Sequence, residues 1–141
     1  MVWIIRILVV LYALLFGLMG IRGMLDPDSI MTQFMLMAPD QTGRSAIRAD
    51  MGAFFIVSAA GALLGLMPRQ RHWLLVPVAL FGLAFTGRAI GLALEGATQP
   101  ITEAMLIEAI SVGMLVFAYV FLRKRDMETI EKGQSGSDSP A

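Results

Sequence analysis

Four stretches of the chain are almost purely apolar, and each is bounded by turn residues or charges. At roughly 20 residues apiece they are too long for strands and the right length for helices across a bilayer. The first, about 3–24, runs from Trp3 through Ile-Ile-Arg-Ile-Leu-Val-Val-Leu-Tyr to Met24. It exceeds the apolar core of about 7–15 residues of a cleavable signal peptide, so it is expected to stay as a transmembrane helix. The second covers about 46–67, with Ser45 as its N-cap. The third covers about 73–95, with Pro77 in its first turn, where a missing N–H costs little. The fourth covers about 102–122 and is closed by Arg123-Lys124-Arg125. The pattern predicts an all-α protein, a four-transmembrane-helix bundle.

The connectors carry signals of their own. Asp26-Pro27-Asp28-Ser29 predicts a turn with an N-cap at Ser29. Ile30, Met31, Phe34 and Met35 then share one face of a short amphipathic helix that Pro39 ends, lying on lipid or forming a lid over a cavity. Pro39-Asp40-Gln41-Thr42-Gly43 predicts a second turn, Pro68-Arg-Gln-Arg-His72 a basic loop, and Gly96-Ala-Thr-Gln-Pro100 a tight turn. From Asp126 to Ala141 the chain is polar and rich in Gly and Ser after Lys132, which predicts a disordered cytoplasmic tail.

Small residues mark where helices can approach closely. Gly17, Gly20 and Gly23 recur on the first span, Gly61 and Gly65 follow Ala59 and Ala60 on the second, and Gly87 and Gly91 lie on the third.

Charge sets the orientation. Arg6, Arg69, Arg71, Arg123, Lys124 and Arg125 gather on the side of both termini, whereas Asp26, Asp28, Asp40, Glu95 and Glu103 gather on the other with Arg22, Arg44 and Arg48. The positive-inside rule then puts both termini in the cytoplasm, and Trp3, Trp73 and Tyr119 at the cytoplasmic interface. A bacterial inner membrane is the expected location.

Composition narrows the function classes. Residues are 57% hydrophobic and 16% charged, against about 25% charged in soluble domains. Zero formal net charge excludes a nucleic-acid footprint, and the absence of Cys excludes thiolate chemistry. A single histidine, His72, argues against a His-rich metal or haem site, and no metal or cofactor is expected. The eleven methionines read as lipid-facing or core filler.

Three ionisable residues remain inside apolar runs: Asp50, Arg88 and Glu108. Charges at such depth are expensive unless they face protein or each other. Helical rise puts Arg88 about 10 Å below Glu95 and Glu108 about 9 Å below Thr102. The two are therefore at matched depth on consecutive antiparallel helices, with Asp50 somewhat shallower on the second. Arg48 is about 160° around its helix from Asp50 and reads as a headgroup-facing side chain. Arg22, Glu95 and Glu103 are likewise peripheral, near the helix ends. The expected site is Asp50, Arg88 and Glu108, converging in the non-cytoplasmic half of the membrane.

Four roles fit such a cluster: a structural ion-pair network, a pocket for a polar or anionic ligand, a proton-coupled transport site, or a contact within a larger membrane complex. Enzyme chemistry ranks last, because no nucleophile, metal set or phosphate loop accompanies the charges. The expected partners are the bilayer, a small-molecule or lipid ligand, and a second copy or another membrane protein.

The stretch Ile-Arg-Ala-Asp-Met-Gly-Ala-Phe-Phe at 47–55, the stretch Gly-Arg-Ala-Ile-Gly-Leu-Ala-Leu-Glu-Gly at 87–96 and the acidic start of the fourth span resemble the bacterial membrane proteins grouped as domain of unknown function 4345. The resemblance covers about residues 1–125 and implies four transmembrane helices with no assigned activity. There is a more distant likeness to the DoxX-type four-helix membrane proteins.

Overall fold

The computed structural model describes residues 2–96 and 98–137, with side chains through Thr129. Its elements are α1 (Val2–Leu25), α2 (Pro27–Gln33), α3 (Gln41–Gly65), a 3-10 turn (Arg71–Leu74) leading into α4 (Leu75–Glu95), and α5 (Gln99–Ser137). No strand occurs among the described residues. Four helical stretches are long and apolar enough to cross a membrane: Val2–Leu25, Gln41–Gly65, Arg71–Glu95 and Gln99–Thr129. The protein is a multi-pass helical bundle, with α2 at one end and the Arg71 turn at the other.

Lipid tails are as apolar as leucine, so helices in a membrane associate through close packing more than through burial from water. The glycine stripe of α1 does this. A Cβ on Gly20 would stand 2.9 Å from the Ile56 backbone nitrogen and 3.1 Å from the Gly52 carbonyl oxygen. Gly17 faces Ala59, and Gly23 faces Ile30 and Gly52. The backbones of α1 and α3 thus pass almost in contact, with Gly52 supplying the matching gap.

Between them lies an aromatic cluster. Phe16 stacks on Phe55 at 5.7 Å, and Phe81 of α4 meets the Phe16 ring edge-on at 4.8 Å. At its centre the Tyr12 and Ser58 hydroxyls share a 2.5 Å hydrogen bond, both residues buried. In Tyr12→Phe the Ser58 hydroxyl loses its partner, with an expected cost of about 1–2 kcal/mol. Unfolding in mixed micelles should show Tyr12→Phe combined with Ser58→Ala losing less than the sum of the two single variants.

Gly61 and Gly65 form the second close seam, α3 against the start of α4. A Cβ on Gly61 would meet Pro77 Cδ at 2.9 Å and the Trp73 carbonyl at 3.2 Å, and one on Gly65 would collide with the Leu74 side chain. This seam continues as far as Phe54 against Phe81, whose rings lie 5.3 Å apart. Helix α5 closes the bundle with one buried face, formed by Glu108, Ser111, Leu115, Ala118 and Leu122.

Arg71 is not a free loop charge. It is buried, and its NH1 donates to the carbonyls of Gly65 (3.0 Å) and Leu66 (2.8 Å), the exposed end of the α3 hydrogen-bond ladder. Its Nε and NH2 hold both oxygens of Asp126, at 3.0 and 3.1 Å. One guanidinium therefore ties the end of α3, the start of α4 and the far part of α5 together.

Several element boundaries differ from expectation. Helix α3 begins at Gln41 and not near residue 46: Asp40 is its N-cap, the side chain accepting from Gly43 N at 2.8 Å, and Ser45 falls inside the helix. Helix α2 starts at Pro27, whose fixed φ suits a first helical turn, so Ser29 is not the cap but donates to the Asp26 carbonyl at 2.8 Å. It stops at Gln33, ahead of Pro39, with Met35 at φ 53 turning the chain away. Helix α2 sits on α1 and α3: Ile30 is buried against Gly23, Phe34 lies 5.8 Å from Phe55, Arg44 pairs with Asp28, and Met35 is exposed.

The fourth helix does not end at Leu122. Helix runs through Ser137 in place of the tail expected to be disordered from Asp126, and residues 138–141 lie outside the described residues. The clip on Asp126 holds the chain in register past Arg125, and Asp126-Met-Glu-Thr-Ile-Glu-Lys132 contains no helix breaker.

Candidate functional site: an intramembrane arginine–glutamate pair

Arg88 sits midway along the second half of α4, and Glu108 lies in the third turn of α5. Because only three residues separate the two helices, residues at similar distances from the junction face each other. Arg88 Nε donates to Glu108 Oε1 at 2.8 Å, as the matched depths predict. The two side chains are unequally covered: Glu108 is 7% exposed and Arg88 32%. Glu108 Oε2 is buried and has no hydrogen-bond partner among the described residues. Ser111, one turn further along the same face, is also buried. A carboxyl group held this way in a span is stabilised on one oxygen only, and the other is left without a partner.

Asp50 does not join the pair. It is exposed and makes no hydrogen bond or ion pair among the described residues. The reason lies in how α3 and α4 diverge. Val76, which packs on Gly61, and Gly87 are three turns apart on one face of α4. A Cβ on Gly87 or Gly91, however, would meet nothing within 4 Å, and no residue of α4 beyond Phe81 is buried. The α3–α4 seam is closed from Gly65 to Phe54 and open from there toward the α2 end. Asp50 lies one turn beyond Phe54, at the lip of the opening rather than against Arg88. Gly87 and Gly91, expected to pack a helix, line the same opening and pack against nothing among the described residues.

The peripheral residues stay peripheral. Arg22, Arg48, Glu95 and Glu103 are all exposed, and Glu103 accepts a hydrogen bond from Gln99 at 3.0 Å. Arg48 lines an open groove of about 640 Å³ with Asp40, Arg44 and Ser45, at the start of α3 and away from the pair. Among the described residues no three His, Asp or Glu side chains gather closely enough to hold a metal ion. Sequence reasoning missed the Tyr12–Ser58 bond and the Arg71 clip. A signal existed for the second alone, since an arginine following a helix C-terminus is well placed to bind its last carbonyls.

The chain matches the model of the family described as Domain of unknown function (DUF4345) over residues 4–119. It belongs to that family. The DUF4345 match takes in α1 to α4 and most of the membrane part of α5, including both Arg88 and Glu108, and stops before the Arg71 clip's partner, Asp126. No curated protein and no solved structure matches the chain. The likeness to DoxX-type proteins is not shown by the DUF4345 match.

Proposed function

We propose that this DUF4345 protein is a small binding or accessory protein of the bacterial inner membrane, with both termini in the cytoplasm and Arg88–Glu108 as an outward-facing ligand site. The orientation is supported by Arg6, Arg69, Arg123, Lys124 and Arg125 at the Arg71 end, where Trp3, Trp73 and Tyr119 also lie. Arg71 itself adds little to that bias, because Asp126 matches its charge. The observation that carries the binding role is the buried, unpartnered Oε2 of Glu108. A pair serving only to fix helix order gains most when both carboxylate oxygens are satisfied. Here one is left buried without a partner.

Single substitutions in the pair leave an uncompensated charge, so the informative variant removes both: Arg88→Leu with Glu108→Leu. Replacing a buried ion pair by apolar residues of similar volume is often neutral for stability. The double variant is expected to fold with a Tm close to wild type and to lose a small molecule that co-purifies with wild type, read by native mass spectrometry. A folded double variant carrying the same bound molecules at the same occupancy refutes the site.

The same carboxylate oxygen favours one alternative, proton-coupled transport, since carboxylates within spans can carry protons. Substrate flux in proteoliposomes under a pH gradient, abolished in a Glu108→Gln variant that keeps the wild-type Tm, is the result that would establish it.

A further inference from the structure

We infer that the ligand of this site is a neutral, hydroxyl-bearing lipid that enters sideways from the bilayer leaflet at the α2 end, between α3 and α4. The inference rests on the binding role of Arg88–Glu108 proposed above and adds the class of ligand and its route. The route follows from the open part of the seam. Below Phe54 and Phe81 the helices are in contact, whereas beyond them Gly87 and Gly91 leave a strip of α4 without side chains and without neighbours within 4 Å. That strip lies at the depth of acyl chains near one membrane surface, and it leads to Arg88, which retains about a third of its exposure. A lipid can reach it without leaving the bilayer.

Charge selects the headgroup. The pair is already balanced, so a ligand bringing a net charge into this low-dielectric position would be uncompensated and heavily penalised. An anionic headgroup must also pass the exposed, unpaired Asp50 at the lip, and a cationic one must settle beside the Arg88 guanidinium. The hydrogen-bonding group without a partner is an acceptor, Glu108 Oε2, which is buried and is reached only as the ligand, docking first on the exposed Arg88, displaces the groups that cover it. It requires a donor, and the neutral donor most at home on a lipid is a hydroxyl. The same hydroxyl oxygen can accept from the exposed side of Arg88, so a single O–H group satisfies both members of the pair. Diacylglycerol and long-chain alcohols have this chemistry. Phosphatidic acid, with the same chains and a phosphate in place of the hydroxyl, does not.

That matched pair gives the test. Full-length protein in phosphatidylcholine liposomes is labelled with a diazirine-bearing diacylglycerol, and unlabelled diacylglycerol or phosphatidic acid of identical chains competes. Labelling is expected within 47–54 and 84–91, with phosphatidic acid needed at about tenfold or higher concentration to compete, the worth of one hydrogen bond to a charged group. Arg88→Leu with Glu108→Leu should reduce labelling at those positions by a similar factor, and Asp50→Asn should narrow the gap between the two competitors. Equal competition by phosphatidic acid, or labelling indifferent to the double variant, overturns the inference. If a different molecule co-purifies in a manner that depends on the pair while diacylglycerol fails to compete, the lipid class is wrong and the binding role stands. If nothing bound depends on the pair, both fall. Site-directed cross-links between Gly87→Cys residues of two copies in native membranes, formed at high yield, would place a second chain in the seam and also overturn the lipid assignment.

Discussion

Arg71→Ala is expected to damage this protein severely, lowering stability by about 3 kcal/mol. Four hydrogen bonds converge on that guanidinium, two to the last carbonyls of α3 and two to the Asp126 carboxylate. Its removal leaves Asp126 without its cation and the carbonyls of Gly65 and Leu66 without a donor. The estimate sits at the low end of the range for broken buried pairs because Asp126 keeps 27% of its side-chain exposure and regains some water. Arg71→Lys should recover little, since a single ammonium cannot span the carboxylate and both carbonyls. Asp126→Asn should cost less than Arg71→Ala, because the α3 carbonyls stay capped. Unfolding of the detergent-solubilised protein by SDS titration measures all three. A midpoint for Arg71→Ala equal to wild type would mean that the clip adds nothing to the bundle.

Gly20→Ile is expected to cost a comparable amount, about 3 kcal/mol, for a different reason. At this position the first added carbon meets backbone: the Ile56 nitrogen at 2.9 Å and the Gly52 carbonyl at 3.1 Å. Side chains can rotate away, but backbone atoms of a packed helix cannot, so α1 and α3 must separate along the seam that joins them most closely. Gly113→Ile is the control. Its Cβ would meet nothing within 4 Å, so any general effect of a branched residue in a membrane helix appears there without a collision. Only a shift in Gly20→Ile well beyond that of Gly113→Ile supports contact between the α1 and α3 backbones.

The parts of this structure that were legible in the sequence are those fixed by one segment or by two neighbouring ones. Long apolar runs decide the number of helices, because nothing else satisfies twenty residues of backbone in lipid. The Arg88–Glu108 contact was legible because so short a connection leaves depth as almost the only variable. Asp50 was not: its position relative to Arg88 depends on the angle between α3 and α4, which is set by Gly61, Gly65 and Phe81 several turns away. Arg71 stayed hidden because its partner lies 55 residues on, in a stretch whose composition suggests no structure. Asp40 was read as part of a turn and Ser45 as the cap of α3, because aspartate and serine suit both roles and propensity does not choose between them. Tyr12 and Ser58 are common in membrane helices, and only their positions in space make them a pair.

The uneven seam has a mechanical corollary. Glycine contacts and the Arg71 clip pin α4 and α5 to the other helices at one extremity, while the opposite extremity of α4 has no firm neighbour but α5. Any tilt of those two helices as a unit pivots about the pinned extremity, and a rotation of about 5° displaces points about 30 Å away, the thickness of the hydrocarbon layer, by roughly 3 Å. The width of the gap beside Arg88 is thus governed from the opposite end of the bundle, by how firmly the glycine contacts and the Arg71–Asp126 clip hold α4 and α5 there.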